Sequence, residues 1–358
     1  MSSLLITNIR QLVNVRSQHE LLRGARLGEL PCIQNAWIII EGDEIADYGE
    51  MKDLEISLLN NKSGKNFSER IDASGQFIVP CWCDSHTHLV FAASREEEFV
   101  DKLKGLSYAQ IASKGGGILN SAHRLNDASE DELFNLAWRR LEEVSRLGTG
   151  AIEIKSGYGL TVEGELKMLR VIKELKKKSQ LEIRSTFLGA HTYPAAFKED
   201  HQGYVDLIIN EMLPVIAKEQ LADYIDVFCE TGFFSAEETE TICKAGMKYG
   251  LKPKIHANQL NLSGGVQTGV KLGALSVDHL ETMDNETISL LSGSSTIGTL
   301  LPTAAFFLRM PFQPARQLID SGCAIAIASD YNPGSSPSGN MNLVVSMSCI
   351  GMKMLPEE

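Results

Sequence analysis

Residues 76–88 read Gln76-Phe77-Ile78-Val79-Pro80-Cys81-Trp82-Cys83-Asp84-Ser85-His86-Thr87-His88, and the rest of the chain is organised around this segment. Its first eight residues are mostly apolar and predict a buried strand. His86 and His88 follow at the end of that strand. Because side chains alternate along extended backbone, both imidazoles project to the same side. Two convergent imidazoles are the beginning of a transition-metal site, which needs further ligands.

Short apolar runs alternate with segments of helical periodicity from this stretch onward. The runs cover 77–82, 150–155, 183–188, 224–229, 252–257, 274–279, 295–300 and 323–329. Ser129 and Ser235 stand where helix N-caps are expected, and Ser235 forms a capping-box pattern with Glu238. Eight β/α units predict an α/β fold, a parallel (β/α)8 TIM-like barrel. An open doubly wound sheet is the alternative, but no glycine-rich phosphate loop follows the first strand.

The sequence divides near residue 75. Residues 1–75 contain strand-like runs, such as Leu4-Leu5-Ile6 and Ala36-Trp37-Ile38-Ile39-Ile40, separated by turns,. They show no alternation of helix and strand, and they predict a small β-sandwich-like domain. Residues 76–358 are assigned to the barrel.

Composition argues against several classes of protein. The net charge is −12 and the basic residues are dispersed, which argues against a nucleic-acid surface. No apolar run approaches the roughly 18 residues of a membrane span, and the start lacks the pattern of a secretion signal. The odd number of cysteines, seven, indicates reduced thiols in a cytoplasmic protein. Cys81 and Cys83 are expected to be small buried residues rather than metal ligands.

Ionisable residues recur at the carboxyl ends of the predicted strands, where barrels of this kind have their active sites. One histidine at such an end is usually structural, but five of them with an aspartate indicate a site. They are His86, His88, His191, His256, His279 and Asp330. Nitrogen and oxygen ligands suit zinc or iron, and the candidate ligands are His86, His88, His256 and Asp330. Such a metal lowers the pKa of a coordinated water to about 7, so the pattern predicts metal-assisted hydrolysis.

The chain resembles the amidohydrolase superfamily in Pro80, Asp84-Ser85-His86-Thr87-His88, His256, His279 and Ser329-Asp330. Finer motifs are similar to one branch of it, the enzymes that hydrolyse 4-imidazolone-5-propanoate to N-formimidoyl-L-glutamate in histidine degradation. These motifs are Arg95-Glu96-Glu97-Glu98-Phe99, Gly115-Gly116-Gly117-Ile118, Glu153-Ile154-Lys155-Ser156-Gly157-Tyr158-Gly159-Leu160, Gly189-Ala190-His191, Asp226-Val227-Phe228-Cys229-Glu230 and Ser329-Asp330-Tyr331-Asn332-Pro333-Gly334. The resemblance covers the chain from about residue 75 onward. It implies the opening of a cyclic amide by metal-activated water, with one zinc or iron ion per chain.

The resemblance also implies roles for the matching residues. The implied metal ligands are His86, His88, His256 and Asp330. The implied substrate contacts are Arg95, Tyr158, His191, Gln259 and Ser335, and Asn332 and Gly334 are implied to touch the product. The implied catalytic groups are Asp330, His279 and Gln259. Cys229-Glu230 stands where binuclear relatives carry a modified lysine, which favours a single metal.

Several of these residues also have a structural interpretation. Arg95 can form a surface ion pair with the glutamates that follow it, instead of binding the propanoate through two parallel hydrogen bonds. Tyr158 can belong to a tight turn, and His191 can cap a helix. His279 can orient a metal ligand rather than stabilise an oxyanion.

Two features depart from the superfamily pattern. Gln259 replaces the glutamate of the more usual His-x-x-Glu motif. Because an amide cannot act as a general base, proton transfer is assigned to Asp330 with His279. Family members also continue beyond Glu358. We therefore expect a β-domain that C-terminal strands normally complete and a barrel truncated near its last helix.

Three functional hypotheses follow. The first is hydrolysis of the imidazolone ring, with a small carboxylate as substrate and no nucleic-acid or membrane partner. The second is an aminohydrolase that removes an exocyclic amine from a nucleobase-like ring, which usually has His-x-x-Glu and does not need Arg95. The third is a truncated homologue without activity. A homodimer is common in the family and is expected here.

Overall fold

A computed structural model describes residues 3–18, 20–60, 67–106 and 116–358. Gly115, part of one motif quoted above, lies outside these ranges. The chain divides into two compact units. One comprises Met1–Leu21, Gly28–Cys81 and Glu357–Glu358, and the other comprises Leu22–Leu27 and Trp82–Pro356. The predicted site residues all lie in the second unit.

The first unit is built on a five-stranded mixed sheet. Its strands are β1 (Ser3–Val13), β2 (Cys32–Glu41), β3 (Glu44–Glu50), β4 (Glu69–Asp72) and β5 (Phe77–Ile78). The order is β3-β2-β1-β4, and β5 also pairs with β1. β2 runs antiparallel to β1 and β3, whereas β4 and β5 run parallel to β1.

Both faces of this sheet bury apolar side chains, because successive residues of a strand point to opposite faces. Trp37 and Ile39 pack with Leu5 in one cluster, and Ile38 packs with Ile9 in another. A 3-10 helix, Met51–Asp53, and an α-helix, Leu54–Asn60, pack on the Trp37 side. These two helices were not predicted from the sequence, because segments as short as three and seven residues show no clear helical period,.

The second unit contains eight parallel strands, each paired with its neighbour in the chain. They are β6 (Trp82–Thr87), β7 (Thr149–Lys155), β8 (Glu182–Ala190), β9 (Tyr224–Cys229), β10 (Lys252–Ala257), β11 (Ser276–His279), β12 (Ile297–Leu300) and β13 (Ile325–Ile327). Beyond β13 the chain meets β6, because Asp330 N donates to His86 O at 3.0 Å and His88 N donates to Tyr331 O at 2.9 Å. These bonds nearly close the sheet, and the predicted TIM-like barrel is confirmed.

Helices connect the strands, and their apolar faces join the barrel core. The α-helices of this unit are Glu96–Leu103, Ile118–Asp127, Glu130–Arg146, Val162–Lys178, His201–Leu207, Leu213–Glu219, Ala236–Met247, Gly265–Leu272, Asn285–Ser292, Pro302–Leu308, Ala315–Asp320 and Met341–Met352. Shorter helical segments are Gly24–Gly28, Ala195–Phe197 and a π-turn, Ile208–Met212. Ser129 caps its helix, and Ser235 with Glu238 forms the predicted capping box. Within the described ranges, no helix has the length and apolar character needed to cross a membrane.

The first barrel strand differs from its prediction. Residues 76–83 do not form one buried strand: Phe77–Ile78 pairs with β1, and the barrel strand begins at Trp82 and includes His86. Phe77 is 52% exposed. Cys81 and Cys83 are exposed as well, so the prediction that both are buried is wrong. Pro80 accounts for the division, because proline has no N–H to donate to a sheet.

Candidate active site

A cavity of about 490 Å³ is lined by residues at the carboxyl ends of the barrel strands. It brings together eleven of the predicted site residues: His88, Arg95, Tyr158, His191, His256, Gln259, His279, Asp330, Asn332, Gly334 and Ser335. His86 is fully buried, with its ring centroid 4.5 Å from that of His256. The cavity also has apolar walls that the sequence did not single out, formed by residues such as Phe228, Phe233, Leu308 and Met310.

His86 and His88 converge, as their spacing predicts. His86 Nδ1 lies 2.7 Å from Asp278 Oδ2, which fixes Nδ1 as the protonated nitrogen,. His86 Nε2 and His88 Nε2 lie 3.6 Å and 3.5 Å from the same oxygen, Oδ1 of Asp330. His86 Nε2 is buried and has no hydrogen-bond partner among the residues that the structure describes. An unprotonated nitrogen in that position has the chemistry of a metal ligand.

His256 joins this cluster from the fifth barrel strand. Its Nδ1 lies 2.9 Å from Asp226 Oδ2, and its backbone N donates to Asp226 Oδ1 at 3.1 Å, so a second carboxylate contacts a second imidazole. Ligand atoms within 4.8 Å of one another form two overlapping sets, His86 with His256 and His279, and His86 with His88 and Asp330. Imidazole nitrogens with a carboxylate oxygen are typical of zinc and iron sites, so these residues fit a metal ion.

Asp330 and His279 hold backbone conformations that are uncommon outside glycine. Their φ angles are +52° and +91°, and such angles persist where the surrounding structure imposes them, often at functional sites. Burial raises the pKa of Asp330 to about 7. Burial acts to lower the pKa of His279, but the charge of Glu281, whose Oε1 is 3.4 Å from His279 Nδ1, raises it overall. Sequence reasoning missed Glu281.

Charged residues fill the barrel around the carboxylates that orient the two histidines. Lys155 is fully buried, with Nζ 2.8 Å from Glu153 Oε1, 2.9 Å from Asp226 Oδ2 and 3.7 Å from Asp278 Oδ2. Lys254 Nζ lies 3.6 Å from the same Asp278 oxygen. Burial acts to lower the pKa of Lys155, but the charges of Asp226, Glu153 and Asp278 raise it. Lys155 therefore stays charged and, with Lys254, compensates these buried carboxylates.

The positions of charged residues within the barrel strands indicate this network from the sequence. In a barrel, alternate residues of each strand face the interior. Lys254 precedes His256 by two residues, and Asp84 precedes His86 by two, so each shares a face with a histidine. Asp84 accepts from Ser329 N at 3.0 Å and from Ser329 Oγ at 2.5 Å. A charged residue at such a position within an apolar strand indicates a buried partner.

Arg95 lines the cavity from the segment after β6. Its Nε donates to Ser121 Oγ at 2.9 Å and lies 4.0 Å from Glu98 Oε1. Only 15% of its side chain is exposed. A Cβ on Gly334 would collide with Arg95 Nη1, so a larger residue there would displace the end of this flexible side chain. Arg95 thus lines the cavity, as predicted, and it also forms a long ion pair with Glu98, which was the structural alternative.

His191 and Tyr158 come from the segments after the third and second barrel strands. His191 Nδ1 donates to Gly157 O at 3.0 Å, a loop carbonyl rather than a helix end. Burial lowers the pKa of His191 to about 3, so the ring is neutral and its Nε2 is an acceptor. The ring stacks on His88 at 5.2 Å and lies 5.5 Å from the ring of Tyr158. Tyr158 is 3% exposed.

Asn332 organises the loop after Asp330. Its Oδ1 accepts from Gly334 N and Ser335 N, both at 2.8 Å, and its Nδ2 donates to Ser335 Oγ at 2.7 Å. Ser335 Oγ lies 3.4 Å from Asp330 Oδ2. The amide of Asn332 therefore shapes the loop that places these groups in the cavity.

Gln259 lies on the loop after β10, which Glu230 holds. Glu230 Oε2 accepts from Leu260 N at 2.9 Å, and its Oε1 accepts from Asn261 Nδ2 at 3.1 Å. Glu230 is thus committed to this loop and is absent from the described histidine clusters.

Curated relatives match nearly the whole chain, although no family model matches it. Imidazolonepropionase of Flavobacterium johnsoniae is 55% identical over 356 residues, which cover 99% of this chain and 84% of that protein. The enzyme of the same name from Christiangramia forsetii is 54% identical over 357 residues, which cover 99% of this chain and 85% of that protein. That of Clostridium tetani is 40% identical over 356 residues, covering 99% and 84%.

Solved structures share the fold at low sequence identity. A mutant of atrazine chlorohydrolase from Arthrobacter aurescens, complexed with zinc and atraton, has a TM-score of 0.72 at 14% identity and covers 97% of this chain and 76% of that chain. Guanine deaminase from C. acetobutylicum, with bound guanine, has a TM-score of 0.67 at 14% identity and covers 98% and 80%. These likenesses establish the fold and not the reaction.

Replacing Lys155 with methionine is expected to destabilise the barrel strongly. Methionine fills similar space but leaves Asp226 without its lysine partner and removes one of the two cations beside Glu153, which costs about 3 to 5 kcal/mol. Unfolding in urea, followed by tryptophan fluorescence, measures the change. Lys176→Met is the control: Lys176 is 42% exposed and 3.5 Å from Asp223 Oδ2, so its replacement costs about 1 kcal/mol or less. Equal free energies of unfolding for the two variants would contradict the role assigned to Lys155.

Proposed function

This chain belongs to the imidazolonepropionase family, and we propose that it hydrolyses 4-imidazolone-5-propanoate to N-formimidoyl-L-glutamate in histidine degradation. The observation that carries the proposal is the placement of Arg95 and a histidine–aspartate cluster around one cavity. The histidine–aspartate cluster is proposed to carry out hydrolysis of the ring amide. The propanoate of the substrate needs a fixed cation, for which a nucleobase aminohydrolase has no use.

The proposed metal site consists of His86, His88, His256 and Asp330, with one ion per chain. Support comes from the buried, unpartnered Nε2 of His86 within the described residues and from the carboxylates that orient two of the imidazoles. The engagement of Glu230 by the loop after β10 favours one ion over two. The ligand set suits both zinc and iron. When bound, the ion supplies Lewis acidity, which polarises the ring carbonyl and lowers the pKa of water.

Arg95 is proposed to bind the propanoate carboxylate. A guanidinium presents its N–H donors in a planar fork that matches a carboxylate through two parallel bonds. Its Nε is occupied by Ser121 Oγ, so its terminal nitrogens are the donors proposed for the substrate. Tyr158 and the neutral His191 are proposed to hydrogen-bond the ring, and the apolar walls cover its faces.

Asp330 and His279 are proposed to move the protons of hydrolysis. As water attacks the carbonyl carbon, a carboxylate oxygen of Asp330 accepts one of its protons. The C–N bond of the ring amide breaks, and Asp330 returns that proton to the leaving nitrogen. The oxygen of water ends in the new carboxyl group, which releases its remaining proton to solvent. His279 donates an N–H to the developing oxyanion, and Glu281 orients the ring from the other nitrogen. Ser335 and the Asn332 loop keep Asp330 in place.

The same proposal covers the partners and the localisation of the enzyme. Its partner is a small carboxylate substrate rather than a nucleic acid or a membrane. A homodimer in the cytoplasm, as expected from the family, stays a prediction.

A substrate panel tests the proposed function. The purified chain is assayed with 4-imidazolone-5-propanoate, guanine, adenine and cytosine. We expect the ultraviolet absorbance of the imidazolone to disappear, with N-formimidoyl-L-glutamate identified by mass spectrometry and no ammonia released from the bases. Ammonia release from a base without turnover of the imidazolone would overturn the proposal in favour of an aminohydrolase.

Gln259→Glu is expected to keep kcat within about tenfold of the wild type. Gln259 is proposed to hydrogen-bond the ring and not to act as the general base, and glutamate preserves its size and one acceptor. His279→Ala serves for comparison, because it removes the proposed oxyanion donor, and loss of such a donor lowers kcat by about 100-fold or more. Metal content is measured on every variant. A collapse of turnover in Gln259→Glu with unchanged metal content would contradict this division of roles.

A further inference from the structure

Glu165 is a fully buried carboxylate that the mechanism above does not use. It lies in the first turn of helix Val162–Lys178. Its Oε1 accepts from Gly159 N at 2.7 Å and from Leu160 N at 2.9 Å, and its Oε2 accepts from Gly157 N at 3.0 Å. One buried charge thus binds three backbone donors of a single loop. Hydrogen bonds to an ionised acceptor are roughly twice as strong as neutral ones.

The loop held in this way, residues 157–160, carries Tyr158 in its middle. The amides on both sides of Tyr158 are bound by Glu165, so the backbone that aims the phenol ring is fixed. Gly157 also provides, through its carbonyl oxygen, the acceptor for His191 Nδ1 at 3.0 Å. A single carboxylate therefore controls the loop that aims one side chain into the cavity and anchors another.

The glycines of the loop allow this close approach. Gly157 has φ +112°, a conformation that other residues rarely adopt,. A Cβ on Gly159 would collide with backbone atoms of Glu165 and Gly164, so the loop lies directly against the start of the helix. From the other direction, Asn126 Nδ2 donates to Gly159 O at 2.8 Å. The loop is therefore held from two sides.

We propose that Glu165 is a positioning residue for substrate binding, which acts by holding residues 157–160 so that Tyr158 and His191 face the ligand. The identity of the ligand rests on the proposed function, but the restraint on the loop does not. A merely structural role would lower stability without a selective loss of affinity. Positioning instead predicts weaker binding in a folded, metal-loaded protein.

Glu165→Gln tests the proposal with little change of shape. Whichever oxygen is replaced, an NH2 group then faces at least one backbone N–H, so at least one of the three bonds is lost. We expect the Kd of N-formimidoyl-L-glutamate, measured by calorimetry, and the KM of the imidazolone to rise about tenfold or more. The change in kcat should be smaller, and metal content should match the wild type. Glu163→Gln, at an exposed position of the same helix, should change none of these values.

Hydrogen exchange separates this inference from the proposed function. The amides of Gly157, Gly159 and Leu160 should exchange about tenfold faster in Glu165→Gln than in Glu163→Gln, whatever the enzyme hydrolyses. Absence of imidazolone turnover in the wild type would overturn the proposed function alone. Unchanged exchange in a folded Glu165→Gln variant, or weaker binding without faster exchange, would overturn the positioning role.

Two further variants keep the test decisive. In Tyr158→Phe, which removes the hydroxyl that the loop is proposed to aim, adding Glu165→Gln should weaken binding less than it does in the wild type, because part of the effect of Glu165→Gln acts through that hydroxyl. Full additivity would contradict the proposal. If Glu165→Gln does not fold, Asn126→Ala loosens the same loop from the other side. It should accelerate the same amides and raise the Kd, and no change in either would overturn the proposal.

Discussion

Two carboxylate–imidazole contacts are the constraint on which the site depends. Asp278 Oδ2 lies 2.7 Å from His86 Nδ1, and Asp226 Oδ2 lies 2.9 Å from His256 Nδ1. The hydrogen bond to Asp278 keeps the proton of His86 on Nδ1 and leaves its Nε2 with a lone pair,. Isolated buried carboxylates are costly, and the ammonium group of Lys155 compensates both of them,. The strength of the proposed metal site is thus set by charges placed inside the barrel.

The closure of the barrel supplies the second half of the cluster. His86 lies in the first strand, and Asp330 lies just beyond the last, so they meet only because the sheet curls until its edges touch. Backbone bonds from Asp330 N to His86 O and from His88 N to Tyr331 O make that junction. The junction also places Asp330 in a left-handed conformation, with φ +52°. Closure of the barrel therefore brings Asp330 next to His86 and His88.

The sequence predicts most of the barrel, because strand runs, helical periods and caps are local signals. The histidines and Asp330 of the cavity follow from the strand ends, since the carboxyl ends of parallel strands meet at one mouth. Arg95 and Gln259 were expected only from the family resemblance, and the apolar walls were not predicted. The prediction failed at Phe77 and Cys81, where one apolar run serves two sheets and only Pro80 marks the division. It also missed the roles of Asp278 and Glu281. A charge within a strand marks Asp278 as buried but does not identify its partner His86, 192 residues away, and the contact of Glu281 with His279 depends on an uncommon backbone angle.

Metal content measured together with turnover tests the central claim most directly. The purified chain is analysed for its elements and assayed with 4-imidazolone-5-propanoate before and after chelation. We expect about one equivalent of zinc or iron per chain, loss of metal and turnover together, and recovery of both when the ion is restored. Undiminished turnover by a metal-free chain would contradict it, and so would full metal content after replacement of His86 and His88 by alanine.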